Sequence, residues 1–162
     1  MTRKAYLKGL GFGLTSGIIT TLGMMVGLSA GTNSRLAVIG GILVIAVGDA
    51  LSDAMGMHIS EESTGSSGGE KGVWIATFST LFFKFIFASI FVFPVLFLSL
   101  DTAIILSVII GLVLISVFSF IFARKQGEKP LHVVSEHVLI TLIVVLLTHF
   151  VGVFVNNYFG EV

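Results

Sequence analysis

AVGDALSDAMGMHIS, residues 46–60, sets Asp49 and Asp53 inside a run that is otherwise apolar enough for a membrane-spanning helix. At about 100° per residue, Asp49, Ser52, Asp53, Gly56 and Ser60 share roughly a third of the helix circumference, with Met57 at its edge. His58 falls on the opposite face. A charge at mid-bilayer costs at least about 2.5–3.5 kcal/mol, so two acids on one stripe call for a partner, a proton or a wet cavity.

The rest of the chain is the solvent-averse frame for that stripe. Of 162 residues, 55% are apolar and only 11% charged, with a mean hydropathy of +1.07. Soluble domains carry about 25% charged residues, so the composition predicts an all-α integral membrane protein forming a single domain. Five apolar segments, 7–30, 36–59, 73–98, 102–123 and 134–159, are each long enough for a tilted span. With five spans, Arg3, Lys4, Lys8, Lys71, Arg124, Lys125 and Lys129 lie on one side and only Arg35 on the other. Basic residues concentrate on the inner side, which predicts a cytoplasmic N-terminus. The formal net charge is zero, so nucleic acid is not an expected partner, and with no Cys there is neither disulfide nor thiolate metal site. The basic start MTRKAYLKGLGFG lacks a small-residue cleavage signal and reads as mature chain.

In the first span, Gly9, Gly13 and Gly17, then Gly23, Gly27 and Gly31, recur every fourth residue, a pattern that lets helix backbones approach closely. The two rows predict a homodimer built on this span. Ser16, Thr20 and Met24 form a weakly polar stripe beside them, either a packing face with satisfied hydroxyls or a face toward something other than lipid. Residues 61–72 read as a Gly/Ser loop in which Glu61 and Glu62 are either solvated or form a cytosolic mouth that attracts cations.

The third span contains Pro94, which predicts a kink, and Lys84. At about 1.5 Å per residue, Lys84 lies roughly 18 Å in from Gly72 and Asp49 roughly 18 Å in from Glu61, which predicts that they meet. By the same arithmetic His149 lies about 20 Å in from Glu136, a third ionisable group expected to face the bundle interior as counter-ion or proton relay. A lone His149 with scattered serines offers no triad spacing, so no enzyme is expected.

Taken in order, SGIITTLGMMVGLSAG, GDALSDAMGMHISEES, the Pro94 region and EHVLITLIVVLLTHFVG resemble the signatures of the vacuolar iron transporter family, over nearly the whole chain. The resemblance implies a proton-coupled carrier of Fe²⁺ or Mn²⁺ with no tightly bound cofactor. It also marks departures. The family's first-span acid corresponds to Ser16, its second-span methionine to Asp53, and its glutamate-rich insertion to the short loop at 61–72. On that reading Asp49 and Asp53 supply oxygens, Met24 or Met57 sulfur, and Ser16 and Thr20 hydroxyls, a donor set suited to borderline divalent ions. The alternative is a membrane scaffold in which Asp49, Asp53 and Lys84 form a buried network that fixes helix packing and carries nothing.

Overall fold

The computed structural model describes residues 2–65 and 68–160, and among them every regular element is helical. The helices are α1 (Thr2–Thr32), α2 (Arg35–Val44), a π-helical turn (Ile45–Asp49), α3 (Ala50–Ser63), α4 (Gly69–Ser89), α5 (Val92–Phe97), α6 (Leu100–Gln126) and α7 (Pro130–Phe159). Five continuous stretches are long and apolar enough to cross a membrane: Thr2–Thr32, Arg35–Ser63, Gly69–Phe97, Leu100–Gln126 and Pro130–Phe159. Each starts before the apolar segment read from sequence, because helical hydrogen bonding continues into polar residues that hydropathy discounts, and the third ends one residue short, at Phe97. The loop expected at 61–72 is correspondingly short: Glu61 and Glu62 are helical, and Ser66 and Ser67 lie outside the described residues.

Contacts divide the chain into two compact units. The first takes in α1 up to Ile18 and Leu43–Ile90. Here the π-helical turn and α3 pack along α4, and they carry Ala46, Ala50 and Ala54, small side chains about one turn apart and all buried. The first glycine row seats α1 on α4. A Cβ at Gly9 would come 2.6 Å from Ser79 Cβ, one at Gly13 would come 2.6 Å from the Thr80 carbonyl oxygen and 3.1 Å from Lys84 N, and one at Gly17 would come 3.2 Å from Lys84 Cα.

The second unit comprises Ile19–Ile42 and the chain from Phe91 onward. The second glycine row seats α1 on α7, where a Cβ at Gly23 would come 2.9 Å from Val144 and one at Gly27 would come 3.2 Å from the Thr148 carbonyl oxygen. The α1–α2 turn places Asn33 at φ 46°, a left-handed conformation that Asn tolerates, and Ser34 Oγ accepts from Ala37 N at 3.2 Å. The helix break expected near Pro94 falls between Ser89 and Val92, leaving Pro94 in the first turn of α5, where its missing N–H costs little. At the other end, α6 closes on left-handed Gly127 and α7 opens with Pro130 in its first turn.

Both glycine rows are thus met by helices of the chain itself, the first by α4 and the second by α7. Gly13→Leu is therefore expected to destabilise the fold itself, by about 1–3 kcal/mol or more for overpacking against backbone. Gly56→Leu, where a Cβ meets nothing within 4 Å, should melt like the parent. Thermal melting in detergent checks both; equal melting of the two variants would refute the packing assignment.

Candidate functional site

Ser16, Asp49, Asp53 and Lys84 each sit near the middle of their spans, and all four belong to the first unit. The structure brings them together. Lys84 Nζ makes ion pairs with Asp49 Oδ2 and with Asp53 Oδ2, and donates to Ser16 Oγ at 2.9 Å. Ser16 Oγ in turn donates to Asp53 Oδ2 at 2.7 Å. An ammonium has three N–H donors, and here each has an oxygen acceptor.

Local structure explains how the four groups reach one point. Gly13 and Gly17 let α1 lie directly on the Lys84 turn of α4, so the hydroxyl of Ser16, between them, arrives at Nζ. Asp49 and Asp53 are one turn apart on one helix face, and Asp49 closes the π-helical turn Ile45–Asp49. Such a turn inserts one residue into the α ladder and rephases the helix that follows it. Burial across the cluster is uneven. Lys84 is 0% exposed, whereas the side chains of Asp49 and Asp53 are 35% and 22% exposed. The carboxylates thus hold a buried ammonium while their own side chains stay partly exposed. With all three groups ionised, the cluster carries one net negative charge.

The remaining sequence candidates lie elsewhere. Met57 follows Asp53 by one turn on α3, half-buried. Thr20 and Met24 continue the Ser16 stripe of α1 but belong to the second unit, where Met24 Sδ packs over Gly41 of α2. His149, expected to face the interior, is exposed instead, and lines a cavity of about 270 Å³ in the second unit with Ser29, Asn33 and Asp101. Rise per residue gives a level along α7, not the face that His149 presents, and α7 begins at Pro130, six residues before Glu136.

Glu61, read as either solvated or part of a mouth, is buried and accepts from Lys8 Nζ at 2.7 Å. Glu62 stays exposed, with Oε1 3.4 Å from His58 Nε2. Together with Gly65, Gly69, Glu70 and Val73, both glutamates line a cavity of about 480 Å³. His58, on the other face of α3 from the acids, meets α4: its Nδ1 is 3.0 Å from Thr77 Oγ1, and its ring stands edge-on to Trp74 with centroids 4.6 Å apart. Sequence reading passed over this arrangement, though the four-residue spacing of His58 and Glu62 and the three-residue spacing of Trp74 and Thr77 were available as signals.

Among the described residues no three His, Asp or Glu side chains gather into a ready metal cage. The mid-span cluster is instead a carboxylate pair wrapped around a covalently tethered cation. No family model, curated protein or solved structure matches the chain.

Proposed function

We propose that this chain is a multi-pass membrane transporter of divalent metal cations, in which Asp49, Asp53 and Ser16 line the seat that a cation crosses. The observation that carries the reading is the convergence of two carboxylates on a single positive charge at mid-span, with both side chains still partly exposed. A site that holds one tethered cation in this way has the donors to hold a free one, and an acid that alternates between a metal and a proton gives exchange. The resemblance to vacuolar iron transporters favours Fe²⁺ or Mn²⁺ as cargo, a cytoplasmic N-terminus and a homodimer. In that orientation Glu62 stands at the cytosolic mouth.

A second reading has its own observation. Lys84 is completely buried, and the glycines of α1 cover the backbone of its turn, as expected of a strut that locks three helices together. Mn²⁺ uptake into proteoliposomes, with and without a pH gradient, separates the two readings. Transport predicts uptake that depends on the gradient and is abolished by Asp49→Asn and by Asp53→Asn, each variant still folded because one carboxylate remains beside Lys84. The scaffold reading predicts no uptake by the parent protein.

A further inference from the structure

A second cation site follows from the chemistry of His58. Thr77 Oγ1 donates its one hydrogen to the Val73 carbonyl at 2.9 Å, so toward His58 it has only lone pairs. With that hydrogen given to Val73, Nδ1, 3.0 Å from the oxygen, is placed as the donor to Thr77. Nε2 faces a carboxylate, Glu62 Oε1, 3.4 Å away, and either a proton or a metal ion can bridge the two.

We propose that His58 Nε2 and the Glu62 carboxylate form a two-donor chelate for a first-row divalent transition-metal ion at the end of α3. Two metal–ligand bonds of about 2.1 Å meeting near the tetrahedral angle span roughly 3.4 Å, so the donors already stand at a working bite. The imidazole is held as metal-binding imidazoles usually are, with its second nitrogen donating to an oxygen that fixes the ring, here Thr77, while Trp74 packs against its face or edge. The ring is only 14% exposed, while Glu62 opens onto the 480 Å³ cavity that Glu61 and Glu70 also line, which leaves room for the water ligands of an unsaturated site. Imidazole suits Fe²⁺, Ni²⁺, Cu²⁺ and Zn²⁺ and the carboxylate suits Mn²⁺, whereas Mg²⁺ and Ca²⁺ take oxygen donors alone, so the imidazole biases the site toward transition metals. Two protein donors hold a metal weakly and let it exchange, as a point of capture requires. That role rests on the transport reading; the binding does not.

The chain supplies its own control. His132 Nε2 also stands 3.4 Å from a glutamate four residues on, Glu136, but both side chains are largely exposed, and among the described residues nothing bonds the other ring nitrogen of His132.

Pulsed electron paramagnetic resonance of Mn²⁺ bound to the full chain in nanodiscs reads the coordination directly. A ¹⁴N coupling from one imidazole is expected in the parent protein, with Mg²⁺ in excess failing to remove it. His58→Gln should abolish the coupling, and Glu62→Gln and Thr77→Val should weaken Mn²⁺ binding roughly tenfold or more. His132→Gln and the Asp49→Asn, Asp53→Asn pair should retain the coupling. A parent protein without nitrogen coupling overturns the proposal, as does coupling that survives His58→Gln. So does a ¹⁵N spectrum of the metal-free parent in which both His58 nitrogens carry protons at neutral pH, since the pair is then a plain ion pair. Coupling without any Mn²⁺ flux would sink the transport reading and leave this site standing; flux that needs Asp49 and Asp53, without coupling, does the reverse.

Discussion

Replacing Asp49 and Asp53 together by Asn should lower the melting temperature far more than either single change, by on the order of 10 °C. Lys84 has no exposed surface, and its three donors are taken by the two carboxylates and Ser16. Removing one acid leaves the ammonium a charged partner. Removing both leaves a buried cation among neutral amides and a hydroxyl, and breaking a buried pair in this way typically costs about 3–5 kcal/mol. The double variant should therefore show strong non-additivity, since groups sharing one partner do not act independently. Differential scanning fluorimetry in detergent provides the measurement. If the double variant melts at the sum of the two single shifts, or with the parent, the carboxylates do not act as one counter-charge for Lys84.

Much of this arrangement is legible in the residues because helices convert spacing into geometry. The apolar runs identify five spans, since a segment with no exposed backbone polarity has few other ways to exist in lipid. The fixed rise per residue puts Lys84 level with Asp49, and the structure has these two side chains in contact. Arithmetic along one helix gives a level and not a face, as for His149, which is exposed. It also says nothing about which neighbour fills a face. The glycine rows of α1 announce close approach, but a partner copy and the chain's own α4 and α7 are equivalent as far as α1's sequence is concerned. The π-helical turn before Asp49 has no marker among its residues, Ile45–Asp49, and its register shift is decided by packing around it. The placement of His58 depends on its contact with Thr77 Oγ1, a fact about two helices at once.

Lys84→Met is the change that decides whether the cluster is a seat or a strut. Without the ammonium, two carboxylates one turn apart at mid-span have lost the charge that holds them, and the protein should melt well below the parent in metal-free buffer, by several kcal/mol for a broken buried pair. Asp49 and Asp53 remain partly open, however, so a cation arriving from outside can occupy the position that Nζ vacates. Mn²⁺ should then bind more tightly than to the parent, where it has to compete with a tethered charge. At about one hundred times its dissociation constant, a ligand that binds only the folded form restores roughly 2.7 kcal/mol. The expected result is thus a low melting temperature that climbs steeply with Mn²⁺ in Lys84→Met, against a smaller climb in the parent. Carrying Asp49→Asn and Asp53→Asn in the same chain should remove that extra climb, because a methionine beside two neutral amides offers the metal no carboxylate and has no charge to balance. A Lys84→Met protein that stays destabilised at every Mn²⁺ concentration would mean that the carboxylates are shaped for the ammonium alone. Lys84 would then be a strut, and the mid-span acids would not be the seat of a transported ion.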